Sequence, residues 1–132
     1  MIIVFFQNTP AWELAKAVED ENTEQIDKIV SENPELINYQ ESKYGETLLM
    51  LTIMNQQLKS FKALLKNGTD VNIHDTFDGT SPLIMACSSE FYNITFAKTL
   101  IEYGADVNDV ETGERRKENG TRFTPLIAAS RT

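Results

Sequence analysis

The sequence predicts an all-α fold of repeated helix–turn–helix units, and three observations predict it. Two stretches of the chain match each other at a nearly constant separation. Gly45-Glu46-Thr47-Leu48-Leu49 aligns with Gly79-Thr80-Ser81-Pro82-Leu83, 34 residues on, and Gly68-Thr69-Asp70-Val71-Asn72 with Gly104-Ala105-Asp106-Val107-Asn108, 36 residues on. Within each unit, apolar residues recur at helical spacing. Leu49 and Ile53, or Leu83, Ala86 and Cys87, fall on a first helix; Phe61, Leu64 and Leu65, or Phe96, Leu100 and Ile101, fall on a second. Gly68 and Gly104 follow the second helices directly, where a residue that tolerates the left-handed conformation ends a helix without strain. The two residues by which the units differ fall between Ser89 and Tyr92, at the expected helix-to-helix turn.

The elements follow in order. The opening run MIIVFF lacks a charged leader and a small-residue cleavage site. It reads as a strand-like or packed lead-in, with the remnant of a trimmed signal peptide as the other reading. Residues 9–38 read as an N-terminal capping repeat. Thr9 is its expected helix cap and Pro10 stands in the first turn; Trp12, Leu14, Ala15 and Val18 line one helix, and Ile26, Ile29 and Val30 the next. Its outer positions Glu13, Glu19, Asp20, Glu21, Glu24 and Asp27 are acidic, as suits a terminal repeat with nothing stacked on it. Residues 44–72 and 78–108 are the matched repeats, with Ser81 as a cap. Residues 109–123 form a connector with an insertion, since Asn108 and Thr124 stand 16 positions apart against nine for Asn72 and Ser81. Its Gly113 and Asn119-Gly120 are turn signals. Residues 124–132 begin with Thr124-Pro125-Leu126 and read as the first helix of an incomplete repeat, whose uncovered apolar face would favour weak self-association.

GTSPLIMACS and LIEYGADVN resemble the two halves of an ankyrin repeat, a Thr-Pro-Leu-His-x-Ala helix start and a Gly-Ala-Asp-Val-Asn ending. The resemblance covers about residues 12–132 and implies an all-α ankyrin-repeat solenoid of about 3.5 repeats, in one domain spanning 1–132. Met50, Ile84 and Ile127 replace the family's histidine, so its local polar network is expected to be absent.

A function is implied as well: non-enzymatic binding of a protein partner on the concave face, formed by connector tips and the exposed side of each first helix. Carried onto this sequence, the contacts are Gln40, Ser42, Lys43, Tyr44 and Glu46 in the first connector, with Met54 and Asn55 on the adjoining helix. In the next unit they are His74, Thr76, Phe77, Asp78 and Thr80, with Ser88 and Ser89. Tyr44 and Phe77 are the expected anchors, because aromatic side chains dominate interface energy. The alternative for each ring is to fold back onto its neighbouring unit. Two narrower readings stay open: a small bacterial inhibitor or immunity protein that neutralises a toxin, and a regulatory or targeting piece of a larger protein.

Composition bounds the chemistry. With 12 basic and 20 acidic residues the net charge is −8, which repels nucleic-acid backbones and favours a partner with a basic surface. Arg115, Arg116 and Lys117, in the inserted connector, form a basic cluster with two readings, a specificity finger contacting an acidic patch or a tolerated, mobile surface insertion. His74 and Cys87 are each the sole residue of their kind, so a metal site of His and Cys ligands cannot be built. Cys87 is expected to be buried and inert, and His74 to be solvated. No P-loop or dinucleotide fingerprint occurs, and no cofactor is expected. No apolar run approaches the roughly 20 residues that span a bilayer, so no membrane role is expected. The single cysteine fits a reducing, cytoplasmic compartment.

Overall fold

The computed structural model describes residues 2–88 and 93–112. The chain divides into two compact units, Met1–Asp70 and Val71–Thr132. Among the described residues the elements are six α-helices and two short 3-10 helices, with no strand.

Helices of six to ten residues are marginal alone, because so few bonds do not offset nucleation. Caps and burial hold them here. The first unit carries α1 (Trp12–Glu19), α2 (Thr23–Glu32), α3 (Leu48–Met54) and α4 (Leu58–Lys66). Asn22 caps α2 by accepting from the Gln25 N–H at 3.1 Å, and Thr47 caps α3 by accepting from the Met50 N–H at 3.3 Å.

Thr9 does not cap α1, contrary to expectation. That helix starts at Trp12 with Ala11 in the cap position. The Thr9 hydroxyl instead donates to the Phe6 carbonyl at 2.6 Å and accepts from the Ala11 N–H at 3.3 Å. The reason lies just before it. Ile2–Phe6 is a 3-10 helix, not a strand, and the carbonyls at its end need donors before α1 begins. Ile3 and Phe6 are buried, so the apolar opening is a packed lead-in.

Packing within this unit follows the apolar spacing. Leu14, Ala15 and Val18 of α1 and Ile26 of α2 are fully buried, as are Phe61 and Leu64 of α4. Helix α3 goes further than a single apolar face: every residue from Leu48 to Ile53 is buried. Thr52 is tolerated there because its hydroxyl donates to the Leu49 carbonyl at 2.6 Å. Polar bonds tie the second repeat to the first. Ser60 Oγ donates to the Val18 carbonyl at 2.5 Å and Gln57 Nε2 to the Glu19 carbonyl at 2.9 Å. The Glu21 carboxylate accepts the Lys59 and Ser60 N–H groups at 2.9 and 3.2 Å, at the N-terminus of α4 where an anion is favoured.

The second unit carries α5 (Pro82–Cys87) and α6 (Ile94–Glu102). Ser81 caps α5 as expected, accepting from the Ile84 N–H at 3.3 Å with Pro82 in the first turn. Leu83, Ile84, Phe96 and Leu100 form the core. Gly68 and Gly104 close α4 and α6 at φ of 90° and 95°, the left-handed conformation their positions required. Ile101 departs from its match. It is 48% exposed, whereas Leu65 is 3% exposed, although the residue before each, Leu100 and Leu64, is fully buried.

One bond recurs with the repeat. Asn38 Oδ1 accepts from the Asp70 N–H at 2.9 Å and the Thr69 hydroxyl at 3.1 Å. Asn72 Oδ1 accepts from the Asp106 N–H at 3.0 Å, and its Nδ2 donates to the Gly104 carbonyl at 3.3 Å. The asparagine that ends one repeat thus grips the closing turn of the next. Ser89, the cluster Arg115, Arg116 and Lys117, most of the 109–123 insertion and the incomplete repeat 124–132 lie outside the described residues.

Connector tips as a candidate interaction site

The first two connectors each reverse direction around a carboxylate. In the first, Glu41 is 2% exposed; its Oε2 accepts the Lys43 N–H at 2.7 Å, and its Oε1 accepts those of Tyr44 at 2.7 Å and Glu46 at 3.1 Å. The Glu41 N–H donates to the Glu46 carbonyl at 3.0 Å, closing the loop over Gly45, whose φ is 69°. In the second, Asp75 Oδ1 alone accepts three N–H groups, from Asp78, Gly79 and Thr80 at 3.0, 2.9 and 3.2 Å. The Asp75 N–H pairs with the Thr80 carbonyl at 3.0 Å. Burial pushes the Asp75 carboxyl above the ordinary carboxylate range, and the three N–H groups oppose that rise. Glu111, 3% exposed, stands at the matching place in the third connector and accepts from the Thr80 hydroxyl at 3.3 Å.

These carboxylates were not among the residues singled out from sequence. The signal was present: an acid stands four positions before the tip glycine in both Glu41–Gly45 and Asp75–Gly79. It was hidden because acids are common throughout this chain.

The sequence candidates separate into presented and structural groups. Gln40, Ser42, Lys43, Asn55, Thr76 and Phe77 are exposed, with Phe77 at 47%. Glu46 is buried. Met54, Asp78, Thr80 and Ser88 are half-buried, and the Ser88 hydroxyl donates to the Met85 carbonyl at 2.8 Å. Tyr44 is also half-buried. Its ring stands edge-on to Phe5, with centroids 5.3 Å apart at 82°, and the Lys43 ammonium lies 4.9 Å from the Phe5 centroid.

His74 is not solvated, and the sequence reading is corrected here. It is half-buried, with Nε2 2.6 Å from Asp109 Oδ2 and Nδ1 2.6 Å from the Gly79 carbonyl and 3.1 Å from Thr112 Oγ1. The Thr112 N–H also reaches the Gly79 carbonyl, at 3.0 Å. The second and third connectors are therefore fastened together through one ring. Cys87 is half-buried rather than buried, and that partial burial still pushes its thiol up, which favours the unreactive protonated form.

Among the described residues, no group of three or more His, Cys, Asp and Glu side chains could hold a metal ion. No described helix is long and apolar enough to cross a membrane. What the connectors present is preorganised loop surface.

Comparison with known proteins agrees with this geometry. The family model described as ankyrin repeats (3 copies) matches residues 14–111 and 49–132. The chain is 33% identical over 110 residues to an ankyrin repeat protein of Fowlpox virus (strain NVSL), covering 82% of this chain and 30% of the relative. It is 37% identical over 65 residues to an ankyrin repeat protein of Rickettsia felis (strain ATCC VR-1525 / URRWXCal2), covering 48% of this chain and 21% of the relative. The chain thus spans less than a third of the length of either relative. Ankyrin repeats are in general protein–protein interaction modules and typically non-enzymatic. With helix pairs, glycine closures, hairpin-like tips and this match along the sequence, the chain belongs to the ankyrin-repeat family.

Proposed function

We propose that this chain is a protein-binding module that takes its partner on the connector tips, with Phe77 as the principal anchor. The observation that carries the reading is Phe77 itself: a large ring, 47% exposed, on a loop whose backbone is held by three bonds to Asp75. A rigid, exposed aromatic loses little conformational freedom on binding, and so contributes more of its contact energy to affinity. Thr76, beside it in the chain, is exposed as well, and the first tip, in the other unit, exposes Gln40, Ser42 and Lys43. A net charge of −8 fits a partner whose contacting surface is basic.

The test separates an anchor from a packing residue. Phe77→Ala is expected to weaken partner binding by at least about tenfold while leaving the melting temperature within a degree or so. Tyr44→Ala is expected to do the reverse, lowering stability by about 1 kcal/mol through the lost Phe5 contact and affecting affinity less. Affinity capture with mass spectrometry, run side by side on wild type and Phe77→Ala, reads the first effect. Equal recovery of the same partner by both would overturn the assignment.

A further inference from the structure

We propose that His74 is a proton-dependent clasp. With both ring nitrogens protonated it locks the third connector to the second, and loss of one proton loosens residues 109–112 from the Gly79 turn. The chemistry of what the ring faces carries this. Nε2 stands 2.6 Å from Asp109 Oδ2, and Nδ1 stands 2.6 Å from the Gly79 carbonyl. An ionised carboxylate and a carbonyl can only accept, whereas a neutral imidazole has a single N–H to give. Satisfying both contacts at once takes the imidazolium.

The surroundings fit that assignment. Asp109 Oδ1 accepts the Val110 N–H at 2.9 Å, as suits an ionised carboxylate, and leaves Oδ2 to the ring. The His74 and Asp109 side chains are 19% and 17% exposed, so water replaces a lost bond only in part. Asp75 and Glu111, the buried carboxylates of these two connectors, hold the turn itself. Asp75 accepts the Asp78, Gly79 and Thr80 N–H groups, and Glu111 accepts from the Thr80 hydroxyl.

Whichever nitrogen gives up the proton, one contact becomes lone pair against lone pair. With the proton kept on Nδ1, the bare Nε2 opposes the Asp109 carboxylate, the ring's link to the third connector. With the proton kept on Nε2, the bare Nδ1 opposes the Gly79 oxygen, which is also the acceptor of the Thr112 N–H at 3.0 Å. Thr112 Oγ1, 3.1 Å from Nδ1, can donate to the bare nitrogen but leaves that carbonyl opposed. Both routes weaken the attachment of the third connector. The clasp uses neither Phe77 nor a partner, so it stands or falls independently of the proposed function.

A pH titration of the ¹⁵N-labelled full chain by NMR reads both halves of the proposal. The ring nitrogens report the proton on His74, and solvent exchange reports the protection of the Thr112 amide. Corrected for the intrinsic exchange rate, that protection is expected to fall at least about fivefold as the ring loses its proton, the equivalent of one net hydrogen bond. Asp109→Asn should remove the step, since its amide can turn an oxygen to a protonated Nε2 or an NH₂ to a bare one. Asp75→Asn should keep the step, which separates the ring from the neighbouring carboxylate. Three results would overturn the proposal: unchanged Thr112 protection through the ring's titration, a step that survives in Asp109→Asn, or one that vanishes in Asp75→Asn.

Discussion

Phe61→Ala is expected to lower the unfolding free energy by about 3–5 kcal/mol, measured by urea denaturation. Phe61 is fully buried in the middle of α4, a helix that packs against both α2 and α3. Truncating it removes a ring from the junction of two repeats, and a closely packed interior relaxes only partly into the space left. A domain of this size has roughly 5–15 kcal/mol to lose, so the variant should be near its limit at physiological temperature. A paired control sharpens the point. Leu65→Ala should cost about 2–5 kcal/mol, whereas Ile101→Ala, at the matching place in the next repeat, should cost under about 1 kcal/mol. The two positions are interchangeable by sequence, but Leu65 is 3% exposed and Ile101 is 48% exposed. Equal costs would show that the two helices are covered alike.

The second large effect belongs to Asp75. Asp75→Ala removes the acceptor of three N–H groups at once and is expected to cost about 2–4 kcal/mol. Asp75→Asn keeps an Oδ1 in the same place and should cost far less, because all three bonds go to that one atom. The pair also predicts a pH dependence. Burial raises the carboxyl above its unfolded value of 3.8, so the folded chain holds that proton more tightly. The associated stabilisation is fully present below the unfolded value and is lost as pH rises through the folded one. Asparagine has no proton to lose. The stability of Asp75→Asn relative to wild type should therefore increase as pH rises through that window and level off above it. A difference that stays flat across the window would show that Asp75 titrates as it does in the unfolded chain.

Much of the fold was legible because its signals are local. Ser81 and Thr47 stand one position before apolar runs, and Gly68 and Gly104 stand after them; caps and closures need only their own few residues. The match of the aligned units then ordered the helices along the chain. Features that depend on contacts distant in sequence were less legible. Thr9 looked like a cap, but the 3-10 turn ending at Phe6 claimed its hydroxyl. His74 looked solvated, and only folding brings Asp109 to it across 35 positions. Tyr44 and Phe77 were equivalent as aromatics in polar loops. The difference between them comes from Phe5, which lies 39 positions before Tyr44 and carries no mark of the pairing.

The bonds made by Asn38 and Asn72 also bear on how such a chain can change length. Each asparagine joins the end of one repeat to the end of the next and spans 32 and 34 residues to its backbone N–H partner. Material added between those ends leaves both partners in place, so the extra residues near 89–92 can be accommodated without breaking the bond. A segment copied from one asparagine to the next would bring its own acceptor at one end and its own donor at the other. Duplication in such frames yields a compatible junction at once, whereas duplication out of frame leaves an amide without its turn. Growth and shrinkage of the gene by whole frames would therefore meet little physical resistance, and partial frames would be selected against at the first step.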